Sequence, residues 1–207
     1  MTDLDNLSLV YDKFAESYDD KRELFNIDHI ISDFRNRLET PGALLDIGCG
    51  AGIPVGRSFV DNNWVVTGID FSAKMLALAN THVPEMKTIC SDMRDIQFDD
   101  GDFDAISMIY SLFHIPKEQQ SDLFARLFRW LKPNGMALFT YATKEYTGSE
   151  QFNGNKEFLG QQLFYSHDTP ENLFQTLEEI GFVIEARDYH CVADETFLWV
   201  TMRKPVL

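Results

Sequence analysis

The residues best suited to chemistry in this chain lie together in the segment 44–52, which reads LLDIGCGAG. An acid, Asp46, is followed at alternate positions by three glycines, which are Gly48, Gly50 and Gly52. Glycine has no Cβ, so the backbone can turn sharply at these positions or approach a ligand closely. Residues 44–47 predict a short buried strand, and Pro54 suits the first turn of a helix. A strand, a glycine turn and a helix in this order can hold a nucleotide-like ligand at the helix N-terminus.

The spacing of the glycines argues against a dinucleotide site. Such a site requires the pattern G-x-G-x-x-G after a strand. Counted from Gly48, the third glycine would fall on Ile53, and counted from Gly50 it would fall on Val55. A glycine turn that binds no ligand is the alternative that this segment leaves open, so the residues downstream must decide.

Two further acids follow β-rich segments downstream of the turn. Asp70 ends the segment 64–70, and Asp92 comes directly after the segment 87–91. A carboxylate is an acceptor with two oxygens, so one such side chain can accept from two neighbouring hydroxyl groups. These positions predict acids at the ends of the second and third strands, where ligands collect in open α/β folds.

Two histidines are candidates for proton transfer. His114 follows the apolar segment 103–110, and His167 precedes the last long helix. Histidine titrates near neutral pH, so it can accept a proton from a phenol, a thiol or an ammonium group. His114 could instead be satisfied by backbone groups, and His167 could belong to a helix-capping loop beside Thr169.

Strands and helices alternate through the middle of the chain. The predicted strands cover 43–47, 64–70, 87–91, 103–110 and 135–142, and the predicted helices cover 53–62, 72–81 and 116–131. Such alternation predicts a mostly parallel sheet with helices on both faces.

The two ends of the chain flank this alternating core. We predict one domain over 1–207, with N-terminal helices in 1–40, the core in 43–142 and a substrate-side insertion in 143–166. The insertion is polar and rich in glycine, so we expect it to be mobile. The remaining segment, 167–207, predicts a helix that begins at Thr169–Pro170 and ends at Gly181, followed by a β-hairpin.

Taken in order, five motifs across roughly residues 8–204 resemble those of the class I S-adenosylmethionine-dependent methyltransferases, of the small bacterial type that acts on small molecules. They are the D-x-G-x-G-x-G segment, the two strand-end acids, the segment 103–114 and the turn Lys132-Pro133-Asn134-Gly135. The resemblance implies an α/β fold with a doubly wound, mostly parallel seven-stranded sheet. Its strand order is 3-2-1-4-5-7-6, its last strand is antiparallel, and its N-terminal helices act as a lid.

The resemblance also assigns roles in binding S-adenosylmethionine. Asp70 takes the ribose hydroxyls, Asp92 accepts from the adenine amino group, and the backbone of Met93 meets a ring nitrogen. Asp46 orders the glycine turn or binds the cofactor's amino group through water. The full set of cofactor-binding residues is Tyr11, Tyr18, Asp46, Gly48, Cys49, Gly50, Gly52, Asp70, Phe71, Met75, Asp92, Met93 and Tyr110. For Phe71, Met75 and the two N-terminal tyrosines, ordinary core packing is the alternative.

The activity that the resemblance implies is methyl transfer from S-adenosylmethionine to a small-molecule acceptor, with His114 and His167 as catalytic candidates. The alternatives are an NAD-type Rossmann oxidoreductase and a non-catalytic S-adenosylmethionine-binding protein. Family members that methylate nucleic-acid bases or glutamine amides usually carry Asn/Asp-Pro-Pro-Tyr/Phe after strand four. Residues 109–112 read Ile-Tyr-Ser-Leu instead, which disfavours those acceptors.

Composition limits the partners and the location. The 207 residues carry a net charge of −15, which repels phosphate backbones and anionic membranes, although it also serves solubility. We therefore expect no nucleic-acid or membrane partner, and a monomer or homodimer. Cys49, Cys90 and Cys191 lack metal or disulfide spacing, so we predict reduced thiols and no metal site. The N-terminus lacks a signal-peptide pattern, which together with the cysteines predicts a cytoplasmic protein.

Overall fold

The computed structural model describes residues 3–15, 26–158 and 160–206. Its strands are β1 Ala43–Ile47, β2 Val65–Asp70, β3 Lys87–Cys90, β4 Phe103–Met108, β5 Leu131–Tyr141, β6 Phe152–Phe158, β7 Gln161–His167, β8 Val183–Val192 and β9 Glu195–Arg203. Its helices are α1 Asp3–Phe14, α2 Asp28–Asn36, α3 Val55–Val60, α4 Ala73–His82, α5 Lys117–Trp130, α6 Lys144–Thr147 and α7 Pro170–Ile180, with a 3-10 helix at Leu112–His114.

Seven of these strands form the main sheet, in the order β3-β2-β1-β4-β5-β9-β8. The pairs β1–β2, β1–β4 and β2–β3 are parallel, whereas β9 is antiparallel to both β5 and β8. Because β6 and β7 pair with each other in a separate sheet, β8 and β9 are the sixth and seventh strands of the main one. The predicted order and the antiparallel last strand are therefore confirmed.

The chain divides into two compact units, and the first comprises Met1–Gln97 with Ala105–Ser107. Its central strand β1 is buried on both sides, with Leu44, Leu45 and Ile47 fully inaccessible to solvent. A strand covered on both faces is largely apolar, which explains why Asp46 is the one charged residue of β1. The ring of Phe59 lies 5.1 Å from that of Trp64 and packs α3 beside the start of β2.

The second unit comprises Phe98–Asp104 with Met108–Leu207. In it α7 begins and ends as predicted. Thr169 Oγ1 accepts from Asn172 N at 3.3 Å, Pro170 occupies the first turn, and Gly181 ends the helix with a φ of +111°. These residues provide the standard start and stop of a helix, so the sequence places this element correctly.

The segment 143–166, predicted only as a polar and mobile insertion, has regular secondary structure. After the short helix α6, strands β6 and β7 form an antiparallel hairpin whose register runs from Phe152–His167 to Phe158–Gln161. In β6 the odd-numbered positions are exposed and the even-numbered ones are half-buried. Exposure that alternates from residue to residue is typical of a strand, but the polar composition of the segment gives no matching apolar alternation in the sequence.

Several predicted boundaries are shifted by local backbone geometry. β4 ends at Met108 rather than at 110, since Tyr110 has a φ of +54°, outside the extended region. α3 begins at Val55, with Pro54 as its N-cap. β5 begins at Leu131, directly after α5, rather than at 135. Within the described part of the chain, no helix combines the length and apolar character needed to cross a bilayer.

Candidate functional site

The glycine turn of the first unit requires glycine for its backbone conformation. Gly48, Gly50 and Gly52 have φ values of +72°, +51° and +78°, which residues with a Cβ rarely adopt. The turn is held against the end of β2, because the backbone N–H groups of Gly48 and Cys49 both donate to the carbonyl of Ile69, at 2.8 and 2.9 Å. The three glycines thus shape one continuous turn above β1.

Two of these glycines have different surroundings. A Cβ on Gly52 would lie 3.1 Å from both Met86 Cε and Val83 Cγ2, so this glycine is needed for packing. A Cβ on Gly50 would meet no heavy atom of the described residues within 4 Å. The turn is therefore open at Gly50, where a ligand can approach the backbone.

Asp70 is tied to the glycine turn. Its Oδ2 accepts from Gly50 N at 2.9 Å, and its Oδ1 accepts from Ser72 N at 2.8 Å. Only 7% of Asp70 is exposed, and this burial raises its pKa to about 6, although the backbone hydrogen bonds from Ser72 and Gly50 oppose the rise. A carboxylate has about four acceptor sites, so Asp70 can still accept from a ligand besides the backbone bonds from Gly50, Ser72 and Phe71.

Asp46 lies beneath the turn and bonds to β4. Its Oδ1 accepts from Ser107 Oγ at 2.7 Å. Burial raises its pKa to about 7; the Ser107 bond opposes the rise, and the nearby charge of Asp70 adds to it. The sequence analysis missed Ser107, although a lone serine in an apolar strand signals a buried polar partner.

Cys49 contributes its backbone rather than its thiol. Its Sγ lies where Gly68 leaves room, since a Cβ on Gly68 would be 2.7 Å from it. Burial, followed by the charges of Asp46 and Asp70, raises the pKa of the Cys49 thiol well above its usual range. The thiol is therefore protonated and unreactive at neutral pH.

Helix α1 contacts the loop that follows Asp70. The ring of Tyr11 meets that of Phe71 edge-on at 5.5 Å, and Ser72 Oγ donates to Asp12 Oδ1 at 2.5 Å while accepting from Met75 N to cap α4. The structure thus brings Tyr11 and Phe71 together, and Asp12 is a partner that was not predicted from the sequence. Tyr18 lies outside the described residues.

The acid assigned to adenine already has a cationic partner. Asp92 Oδ2 accepts from Arg94 Nη2 at 2.6 Å, and its Oδ1 accepts from Arg94 Nε at 3.0 Å. This bidentate pair fixes the plane of the Asp92 carboxylate. Met93 and Met75 are both buried, at 6% and 3% exposure, so their side chains belong to the core.

The remaining predicted residues lie in the second unit. Tyr110 N donates to Thr140 Oγ1 at 2.6 Å, and its ring packs edge-on against Phe197 and Trp199. The positive φ of Tyr110 is therefore supported by a side-chain hydrogen bond and two ring contacts. This residue bounds an aromatic cluster that follows β4.

His114 is buried beside Tyr165. Its Nδ1 lies 2.7 Å from the carbonyl oxygen of Phe164, and because a carbonyl only accepts, Nδ1 carries the proton. Burial lowers the pKa of His114 to about 4, so the ring is neutral at pH 7. Its low pKa makes the ring a weak base, which favours a positioning role over the predicted proton transfer.

His167 is also engaged by the protein itself. Its Nδ1 lies 2.9 Å from the carbonyl oxygen of Asp168, and its Nε2 lies 2.7 Å from Thr147 Oγ1. Burial lowers its pKa. With both ring nitrogens hydrogen-bonded, His167 joins α6 to β7, which favours a structural role over the predicted catalytic one.

The glycine turn, the strand-end acids and the sheet order agree with sequence comparison. Residues 44–135 match the family described as a methyltransferase domain. In this match and in its sheet order the chain resembles the class I S-adenosylmethionine-dependent methyltransferases. The methyltransferase-family protein YqeM of Bacillus subtilis (strain 168) is 32% identical over 136 residues, which cover 63% of this chain and 55% of YqeM.

Two other methyltransferases show how far the similarity extends. The phosphoethanolamine N-methyltransferase of Plasmodium falciparum is 29% identical over 150 residues, or 70% of this chain and 53% of that protein. The 1,6-didemethyltoxoflavin-N1-methyltransferase of Burkholderia thailandensis, solved with S-adenosylhomocysteine, has a TM-score of 0.69 at 18% identity, covering 100% of this chain and 92% of its own. The chain spans about half the length of these two curated relatives.

The described part of the chain contains no cluster of side chains suited to bind a metal ion. No group of three or more histidine, cysteine, aspartate or glutamate side chains is arranged to hold an ion there. The polar groups that meet the glycine turn are backbone amides and the carboxylates of Asp46 and Asp70. Such groups suit the hydroxyl and amino groups of a nucleoside.

Proposed function

We propose that this chain transfers a methyl group from S-adenosylmethionine to a small-molecule acceptor. The observation that carries the proposal is the bond from Gly50 N to Asp70 Oδ2, which joins an open glycine turn to a buried strand-end acid. The accessible backbone at Gly50 therefore lies beside the Asp70 carboxylate, which can accept further hydrogen bonds. A nucleoside with a charged amino-acid tail requires both features.

Different residues of the first unit would bind different parts of the cofactor. The turn of Gly48, Gly50 and Gly52 would pass the methionine end, Asp70 would hold the ribose hydroxyls, and Phe71 would pack beside them. Asp92, oriented by Arg94, would accept from the adenine amino group. S-adenosylmethionine, when bound, supplies a methyl on a sulfonium, which leaves readily in an in-line displacement.

The chain itself then mainly has to position the acceptor. Holding two reactants at near-attack distance is worth up to about 7–11 kcal/mol. The neutral state of His114 and the engaged nitrogens of His167 fit a mechanism in which proximity does most of the work. Small-molecule acceptors are further supported by the relatives that act on phosphoethanolamine and 1,6-didemethyltoxoflavin.

The remaining expectations about partners and location are part of the same proposal. The net charge of −15 supports an acceptor that is not nucleic acid. Cys90 and Cys191 are exposed free thiols, which fits a reducing compartment such as the cytoplasm. We further propose that the chain is a monomer or a homodimer.

Calorimetry with the purified chain tests the cofactor. S-adenosylhomocysteine is expected to bind, and NAD is expected neither to bind nor to compete. Binding of NAD without any response to S-adenosylhomocysteine would overturn the methyltransferase proposal. A chain that binds S-adenosylhomocysteine but transfers no methyl to amines, phenols, thiols or carboxylates would be a non-catalytic binding protein.

The affinity for S-adenosylhomocysteine is expected to depend on pH through Asp70. Its pKa is about 6 in the free protein, and only the ionised carboxylate accepts from both ribose hydroxyls. Binding therefore competes with protonation, so affinity falls as pH falls through 6 and is about tenfold weaker at pH 5 than at pH 7.5. Isothermal titration at both pH values measures this, and an Asp70→Asn variant should show a flatter profile. Equal affinity of the wild type at both pH values would contradict it.

A further inference from the structure

The second unit contains an aromatic and charged cluster that the proposed cofactor site does not use. We name it the Tyr146 cluster, and it consists of Tyr146, Lys156, Tyr165, Glu195 and Phe197. These residues come from α6, β6, β7 and the start of β9. Tyr146, Tyr165 and Phe197 are buried, whereas Glu195 and Lys156 are half-buried.

The rings of the cluster form one wall. The ring centroids of Tyr146 and Phe197 lie 4.4 Å apart, and those of Tyr146 and Tyr165 lie 5.2 Å apart. Phe113 extends the wall, stacked on Phe197 at 5.3 Å and on Tyr165 at 5.0 Å. The face of an aromatic ring carries negative charge density that attracts cations.

An ammonium group already lies on this wall. Lys156 Nζ is 3.6 Å from the centroid of the Tyr146 ring, and it donates to the carbonyl oxygen of Tyr146. The geometry is that of a cation–π contact at close range. The cluster therefore accommodates a primary ammonium in the form of one of the chain's own side chains.

A carboxylate is joined to the same wall. The Glu195 side chain is hydrogen-bonded to the Tyr146 hydroxyl, and Tyr146 is hydrogen-bonded in turn to Tyr165. Burial raises the pKa of Glu195, while the nearby charge of Lys156 and the Tyr146 bond oppose the rise. Glu195 is thus held in place with a cation close by.

The cluster lies at one edge of the main sheet. Tyr146 follows the carboxyl end of β5, and Glu195 opens β9, which runs antiparallel to β5 with Tyr141 opposite Leu198. Both residues therefore lie beyond the carboxyl end of β5. Ligands of open α/β sheets collect at the carboxyl ends of the strands.

We infer that the Tyr146 cluster binds the amino group of a small amine acceptor, which displaces the ammonium of Lys156 from the Tyr146 ring and pairs with Glu195. This inference rests on the proposed methyl transfer and names its acceptor class. A phenol or a thiol could donate only a neutral hydrogen bond to Glu195, and a carboxylate would be repelled by it. The charged pairing with Glu195 therefore selects for a basic nitrogen.

The same arrangement serves the chemistry of an amine. The acceptor arrives as an ammonium, and its proton passes to the Glu195 carboxylate. The freed nitrogen lone pair forms the N–C bond as the C–S bond of the sulfonium breaks, and that electron pair stays on sulfur. The positive charge moves from the sulfonium to the methylated nitrogen, which the face of the Tyr146 ring then stabilises, while Glu195 holds the proton that the ammonium released.

The direct test is a titration of the full chain with benzylammonium in the presence of saturating S-adenosylhomocysteine. Intrinsic fluorescence or calorimetry should show saturable binding. Glu195→Gln should weaken it about tenfold or more, because a charged hydrogen-bond partner is lost. Lys156→Met should strengthen it a few-fold, because the internal competitor is removed. Glu157→Gln, an exposed neighbour on β6 with the same charge change, should leave it unaltered.

A methylation assay gives the second readout. Among amines, phenols, thiols and carboxylates of similar size, only amines should be methylated, and Glu195→Gln should raise their KM at least tenfold with unchanged affinity for S-adenosylhomocysteine. Absence of benzylammonium binding, equal binding by Glu195→Gln, or methylation confined to acceptors without a basic nitrogen would each overturn the inference. The proposed function fails separately, through a lack of S-adenosylhomocysteine binding.

Discussion

Replacing Asp70 with alanine is expected to weaken S-adenosylhomocysteine binding at least a hundredfold in a protein that still folds. The variant loses an acceptor for two ribose hydroxyls, and each such bond to a charged group is worth about 1.5–3 kcal/mol. It also loses the carboxylate that accepts from Gly50 N and Ser72 N. The glycine turn and the start of α4 then lose a common partner, so the cofactor meets a less ordered site.

Titration calorimetry measures this effect, and circular dichroism confirms that the variant is folded. Asp33→Ala is a matched control, because it removes an exposed acid from α2 in the same unit. The control should bind S-adenosylhomocysteine as the wild type does. If Asp70→Ala binds within threefold of the wild type, the ribose is held elsewhere.

Replacing either of two glycines of the turn by alanine is expected to affect different properties. Gly52→Ala mainly lowers stability, whereas Gly50→Ala mainly lowers the affinity for S-adenosylhomocysteine. Gly52→Ala combines a left-handed backbone with 3.1 Å contacts to Met86 and Val83, so its unfolding free energy should fall by about 2–4 kcal/mol. Gly50→Ala has the backbone strain but no protein contact, so its stability should fall by only about 1–2 kcal/mol. Its Cβ occupies the open side of the turn, and S-adenosylhomocysteine affinity should fall at least tenfold.

Urea unfolding and calorimetry separate the two effects. Gly148→Ala is the control for backbone strain alone, since Gly148 has a φ of +79° and also meets no described atom within 4 Å. It should match Gly50→Ala in stability and the wild type in S-adenosylhomocysteine affinity. If Gly50→Ala kept full affinity, the cofactor would not pass this side of the turn.

Much of the fold and part of the site could be predicted from local sequence. The alternation of predicted strands and helices located the strands of the core. Thr169, Pro170 and Gly181 located the start and the end of α7. The D-x-G-x-G-x-G segment implied left-handed glycines, and all three have positive φ. These features depend on backbone preferences that act within a few residues, so they can be predicted from the sequence.

The hairpin of β6 and β7 shows where this reading fails. Its segment is polar and contains Gly154 and Gly160, so composition predicted a mobile insertion. Pairing from Phe152 to His167 satisfies its backbone groups instead. Cross-strand pairing depends on which segments meet, and composition does not contain that information.

The partners of the site residues were decided by tertiary structure alone. Asp70 meets Gly50 across 20 residues, Asp46 meets Ser107 across 61, and Ser72 meets Asp12 across 60. The sequence determined that acids end the second and third strands and that a glycine turn precedes them. Folding determined which hydrogen bonds those acids make and how far burial raises the pKa values of Asp46 and Asp70. Both depend on distances between segments that lie far apart in the chain, and on the water that their packing excludes.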